Sequence, residues 1–212
     1  METQAAPQIR GRRTRRCPEE RRTQILEEAL RFIGERGFYG FSIRKLARRC
    51  GMTDPGLLHH FNSKEKLLVA LLEVGDRIQR EAMPSIVDAP SDICAEPLSY
   101  PQVLDLLRGI VLRSADQPEF VKLYAVLQAE ALQRDHPAHN YFVAREAAAL
   151  DGIVQMIRPY VSAPRSTAVQ LLALIKGLEL EWLRSDQALD IVGEWDAALM
   201  RLMPQRSYDP SG

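Results

Sequence analysis

Residues 42–64 read SIRKLARRCGMTDPGLLHHFNSK. They concentrate two groups that hold phosphate without breaking a bond. The first is cations: Arg44, Lys45, Arg48, Arg49 and Lys64. The second is small hydroxyls placed to start helices: Ser42, Thr53 and Ser63. A helix N-terminus leaves backbone N–H groups unpaired and carries partial positive charge, so it attracts anions. Two helices of about eight residues meet at Cys50-Gly51-Met52-Thr53. A supporting helix, a glycine-containing turn and a second helix make the helix-turn-helix pattern, whose second helix enters the major groove of DNA.

The elements that must hold this unit in place are helical. Ile25, Leu26, Ala29, Leu30 and Ile33 form one stripe of a first helix that starts at Pro18, has Glu19 and Glu20 in its first turn and ends at Gly37. Ile43, Leu46, Ala47 and Cys50 give the second helix a buried face, and Leu57, Leu58 and Phe61 are the apolar residues of the third. Leu67, Leu68, Leu71, Leu72 and Val74 mark a fourth, running towards Met83-Pro84. Prolines 84, 90, 97 and 101 make residues 84–101 a linker. Five further helical stretches follow, at about 101–116, 118–133, 137–161, 166–184 and 188–203. No strand-like alternation competes, so the chain is expected to be all-α with about nine helices. The expected division is a disordered basic arm over 1–18, the helix-turn-helix domain over 19–64, a connecting helix over 65–83 and an effector-binding and dimerisation domain over 84–212.

Charge supports two jobs. The 212 residues carry 28 basic and 28 acidic side chains. Residues 1–64 hold 14 basic against 7 acidic, and residues 65–212 hold 14 against 21. The basic part attracts a polyanion, while the acidic part stays away from it. Seven arginines crowd residues 10–22. Such an arm lies along phosphate or in a minor groove, or is simply solvated.

Several classes drop out. No apolar run approaches the ~20 residues a bilayer needs, and no secretory signal is expected. Three cysteines at unrelated spacings, Cys17, Cys50 and Cys94, suggest neither a disulfide framework nor zinc. The expectation is a cytoplasmic protein with free thiols, no metal and no cofactor. HExxH, P-loop and GxGxxG motifs, paired carboxylates and Cys/His dyads are all missing, which points away from an enzyme. His136 and His139 lack a carboxylate at ligand spacing. Two alternatives compete with a ligand-responsive DNA-binding regulator. One is a redox-responsive regulator using Cys94. The other is a helical interaction module without DNA, against which the charge split argues.

Residues 21–75 resemble the DNA-binding domain of the tetracycline-repressor (TetR) family of bacterial transcriptional regulators. The resemblance runs through Ile25-Leu-Glu-Glu-Ala-Leu-Arg-Phe-Ile33, Gly37-Phe38, Phe41-Ser-Ile-Arg-Lys-Leu-Ala47, Cys50-Gly-Met-Thr53, Gly56-Leu-Leu-His-His-Phe61 and Ser63-Lys-Glu-Lys-Leu-Leu68. It implies a homodimer that binds a palindromic double-stranded operator and is released by a small, largely apolar effector. It places Ser42 and Arg44 against the DNA backbone or a neighbouring base and Thr53 at the cap of the recognition helix. It sets Asp54, Pro55, Gly56, Leu58 and His59 towards base edges, and His60 and Lys64 on phosphates. Leu58 stands where the family usually has tyrosine, which leaves only apolar contact there, for example to a thymine methyl.

The remainder of the chain is expected to hold the effector. The helices at 101–116 and 118–133 carry more apolar residues than one stripe needs, which fits a cavity wall or a plain core. Candidate ligand contacts are Arg108, Val111, Tyr124, Leu127, Gln128, His139, Phe142 and Arg145, with Tyr141 beside them. The last two helices are the expected dimer interface, through Leu171, Leu174, Ile175, Leu178, Trp182, Ile191, Trp195 and Leu199.

Overall fold

The computed structural model describes residues 17–81 and 98–204, with the side chains of residues 78–81 left aside. Arginines 10–16 of the basic arm, most of the 84–101 linker and Cys94 lie outside the described residues. Within them the chain forms nine helices and no strand. They are α1 (Pro18–Gly40), α2 (Ile43–Arg49), α3 (Asp54–Phe61), α4 (Lys64–Glu81), α5 (Tyr100–Asp116), α6 (Pro118–Glu130), α7 (His139–Ile157), α8 (Pro164–Arg184) and α9 (Ile191–Leu202).

Local chemistry sets the boundaries in the first half. Cys17 caps α1: its thiol accepts from the Glu20 N–H while Glu20 accepts from the Cys17 N–H, and Pro18 occupies the first turn. Ser42, Thr53 and Ser63 cap α2, α3 and α4, accepting from the Lys45, Gly56 and Lys66 N–H groups at 3.3, 3.2 and 3.1 Å. Gly51 takes φ +66° in the turn between α2 and α3, a conformation open to glycine and strained for most other residues. Gly37 also adopts a positive φ, +71°, and kinks α1 there. The helix does not stop at Gly37, as its sequence suggests, but resumes for one short turn to Gly40.

Two apolar cores form. The first joins Ile25, Ala29, Ile33, Leu46, Leu57, Phe61, Leu67, Leu68, Leu71 and Leu72 to Leu123, Leu127, Ala138 and Phe142. The second gathers Val103, Leu107, Val111, Ile153, Ile157, Ala168, Leu171, Trp182, Trp195 and Met203 from α5, α7, α8, α9 and the residue after α9. The sequence places a boundary at residue 64; the first core runs across it. α1 packs more extensively against α6 than any other two helices pack together. The helix-turn-helix unit is therefore seated on the body through α1 and α4.

Candidate nucleic-acid interface

α3 buries Leu57 and Phe61 and turns the rest of its surface outward. Pro55 and His59 are exposed, while Asp54, Gly56, Leu58 and His60 are half-buried. Gly56 sits close to its own cap: a Cβ there would lie 3.1 Å from Thr53 Oγ1. The His59 and His60 rings meet edge to face at 5.9 Å. Burial, then the neighbouring His59 and the Arg21 and Arg22 guanidinium groups, hold His60 below the ordinary imidazole value, so the ring is neutral at pH 7.

α3 is held from below by two arginines of the basic stretch. The Arg22 guanidinium donates to the His60 carbonyl at 3.1 Å and lies 4.4 Å over the Phe61 ring. Arg21 donates to Gln24 at 2.9 Å and to the Cys50 carbonyl at 3.4 Å. Both residues lie within α1 and brace the recognition unit.

α2 buries Leu46 and Ala47 and exposes Arg44, Lys45, Arg48 and Arg49. Arg49 approaches Glu35 at 3.7 Å and covers Phe32 at 4.5 Å. Arg44, Lys45 and Arg48 have no ion pair among the described residues. An open cleft of about 690 Å³ runs between α1 and α2, lined by Phe32, Arg36, Gly40, Lys45, Arg48 and Arg49. Exposed like charges held this close repel one another, and a polyanion relieves that repulsion. Lys64 is different: its ammonium lies 4.1 Å over the Phe38 ring and 5.4 Å from Phe41. Burial pulls its pKa below the ordinary lysine value, opposed by Glu65 and Glu130. Sequence reasoning sets Lys64 on phosphate; the structure seats it on aromatic rings.

Residues 25–71 match the model of the bacterial regulatory proteins of the tetR family. That match spans the helix-turn-helix domain of this chain. An uncharacterized HTH-type transcriptional regulator in the dhlA 5′ region of Xanthobacter autotrophicus is 21% identical over 174 residues, 81% of this chain and 84% of that protein. The HTH-type transcriptional repressor AcnR of Corynebacterium diphtheriae is 33% identical over 79 residues, which is 36% of this chain but only 42% of AcnR. Among solved structures, AibR in complex with isovaleryl coenzyme A and operator DNA superimposes with a TM-score of 0.65 at 22% identity, covering 88% of this chain and all of AibR. A TetR-family regulator from Rhodococcus sp. superimposes at 0.60 with 26% identity over 87% of this chain and 99% of that one. FadR from Bacillus subtilis, solved with stearoyl-CoA, gives 0.65 at 16% identity over 86% and 97%.

In the rest of the chain the candidate effector residues do not converge on one place. Tyr124, Leu127, Phe142 and Arg145 lie between α4, α6 and α7, and Gln128 is half-buried on α6. There Asp76 on α4 organises a polar cluster. Its carboxylate accepts from Tyr124 at 3.2 Å, from the Tyr141 hydroxyl, and from Arg145 Nε at 3.0 Å. The Arg145 guanidinium also stacks 4.7 Å over Tyr124. Burial pushes the Tyr124 hydroxyl up to about 12, so it remains a proton donor at physiological pH. Val111 belongs to the second core. Arg108 pairs at the surface with Asp196 of α9 at 2.9 Å. His139 Nδ1 lies 2.7 Å from the Ala131 carbonyl, closing the turn between α6 and α7.

The candidate interface residues also separate. Leu171, Ile175, Trp182, Ile191, Trp195 and Leu199 are buried within the protomer, and Leu174 and Leu178 are half-buried. The apolar side chains that α8 and α9 turn outward are Val169, Ala173, Leu180, Ala197 and Met200.

Sequence reasoning missed Asp76, Glu130 and Glu179. Ser114 donates to the Glu179 carboxylate at 2.5 Å, and burial raises that carboxyl group's pKa. Only the tertiary fold brings these acids to their partners, so no local spacing signals them.

Proposed function

We propose that this protein is a dimeric, ligand-responsive repressor that binds a palindromic double-stranded DNA operator. The observation that carries the reading is the face formed by α2 and α3. Its helix caps are satisfied, its recognition helix is braced from α1, and Arg44, Lys45 and Arg48 are exposed without counter-ions among the described residues. α2 crosses the phosphate backbone with Ser42 and Arg44. α3 enters the major groove with Thr53, Asp54, Pro55, Gly56, Leu58 and His59, and His60 and Lys64 flank the backbone. Lys64 reaches phosphate by swinging off Phe38.

Two copies meet through α8 and α9, using the outward Val169, Ala173, Leu180 and Met200 rather than the inward tryptophans. Two-fold symmetry then sets the half-sites roughly 34–36 Å apart or a multiple of it. The effector is small and largely apolar and acts from the body. The acyl-coenzyme A ligands present in the AibR and FadR structures support an acyl compound as the first class to screen. An effector that binds one head arrangement better than the other shifts the population and releases DNA.

Selection of duplexes from a random pool, followed by gel shift with and without acyl-coenzyme A compounds, tests this reading. A recovered palindrome, a discrete shift surviving competitor DNA, and release by one compound class are expected. No enrichment at low salt would overturn it.

A further inference from the structure

The joint between the helix-turn-helix head and the body contains a charge-sensitive contact. At the kink of α1, Gly37 has φ +71° and its Cα lies against the Glu130 carboxylate: a Cβ there would stand 2.1 Å from Glu130 Oε1. Glu130, the last residue of α6, accepts from the Phe38 N–H at 2.7 Å. One carboxylate from the body thus holds the backbone of the helix that carries the head.

Behind Glu130 sits His136, with its side chain fully buried. Its Nδ1 accepts from the Ala138 N–H at 3.2 Å, which leaves the proton of the neutral ring on Nε2. Nε2 has no hydrogen-bond partner among the described residues and lies 3.7 Å from Glu130 Oε2. The ring meets Phe38 at 5.2 Å and Tyr39 at 5.5 Å, both edge to face. A buried donor aimed at a carboxylate but short of bonding distance is a group with two arrangements available.

We propose that Glu130 and His136 are positioning residues for the DNA-binding head, and that protonation of His136 moves Glu130 off the Phe38 amide and shifts that head. This rests on the DNA-binding reading only for its functional consequence. When His136 gains a proton, Nδ1 becomes a donor and can no longer accept from Ala138. The buried imidazolium then needs a counter-charge, and Glu130 is the nearest one. A direct ion pair with Nε2 draws the carboxylate away from Phe38 and out of its seat on Gly37. The charged groups acting on His136 are Glu130 of α6 and Asp135, which favour protonation, and His139 of α7 and Lys64 of α4, which oppose it. Burial is the largest influence and keeps the ring neutral at pH 7. Because the folded value lies below the unfolded one, the stability this group contributes is complete above about pH 6.5 and is lost as pH falls from there through the folded value.

The test uses the full-length, isotopically labelled protein. The Phe38 amide and the His136 ring are followed by NMR from pH 7.5 to 5. The Phe38 amide is expected to titrate together with His136, with a midpoint below 6.5, and to show no such transition in His136→Phe. Glu130→Gln keeps an acceptor for Phe38 but removes the charge, so it moves the His136 midpoint lower; it carries the test if His136→Phe fails to fold. A second arm measures affinity for a duplex selected against the wild-type protein. Lowering pH from 7.5 to 5.5 is expected to weaken binding several-fold more in wild type than in His136→Phe, since every other titratable group is the same in both. A Phe38 amide indifferent to His136 protonation overturns the proposal, as do identical pH profiles of DNA binding in the two proteins. If no duplex binds at any pH, the DNA-binding reading falls and the Phe38 amide alone decides this one.

Discussion

The head and the body differ in where they concentrate positive charge. On α2, Arg44, Lys45 and Arg48 are exposed and have no ion pair among the described residues. In the body, three cations meet acids of other helices: Arg145 with Asp76 at 3.0 Å, Lys176 with Glu146 at 2.6 Å, Arg108 with Asp196 at 2.9 Å, while the exposed Lys122, Arg134, Arg158, Arg165 and Arg201 lie on different elements. Helix caps differ in the same sense. α2 and α3 are each capped by a hydroxyl from the residue just before them, whereas α6, α7 and α8 have no side-chain cap and are fixed by packing. A unit of short helices has little area to bury, so local capping and a bracing arginine set its shape. The long helices of the body are set by their apolar faces, which leaves their polar residues to pair internally. What sets the head apart is concentration: three exposed cations without an ion pair among the described residues share the seven residues of α2, which no body helix matches.

That contrast can be broken from the body side first. Trp195 is fully buried in the second core and its Nε1 finds no partner among the described residues, so its contribution is apolar packing. Trp195→Ala is expected to cost about 3–5 kcal/mol in urea unfolding, with DNA affinity per folded protein unchanged. A normal unfolding midpoint would mean that the second core does not depend on it. Asp76→Ala comes next. It strips the shared acceptor from Tyr124, Tyr141 and Arg145, and leaving those donors unmatched is expected to cost about 2 kcal/mol. Unchanged thermal stability would show that the cluster is rearranged or already opened to solvent. The smallest effect is expected at Arg108→Ala. Both partners of its pair are more than two-fifths exposed, so the loss is roughly 0–1 kcal/mol and effector release is unaffected. Loss of release without loss of stability would return Arg108 to the effector site.

The same physics explains what the sequence made legible. Helical periodicity and local caps placed all nine helices, because both are written within one or two turns of chain. The end of α6 was less readable. An apolar period suggests a helix to residue 133, yet it stops at Glu130, where the carboxylate is held by Phe38, 92 positions away. The tryptophans illustrate a different limit. A large aromatic on an amphipathic helix fits an interface or a core equally well, and only the tertiary packing turns Trp182 and Trp195 inward. Lys64 shows the same ambiguity in a charged residue. Its position in the helix-turn-helix pattern suits phosphate, but two rings brought together at the α1–α2 junction give it an internal seat. In contrast, Ser42, Thr53 and Gly51 had readable roles because each acts within three residues of itself.

The central claim is that the exposed cations of α2 exist for a duplex. Its most direct test is the salt dependence of DNA binding for wild type and for Arg44→Ala/Arg48→Ala, alongside their thermal midpoints. Each phosphate that the protein no longer neutralises takes ~0.9 from the slope of log affinity against log salt. The expected result is a slope shallower by about 2 with the thermal midpoint unchanged. An unchanged slope, or a slope change that only follows unfolding, would contradict the account.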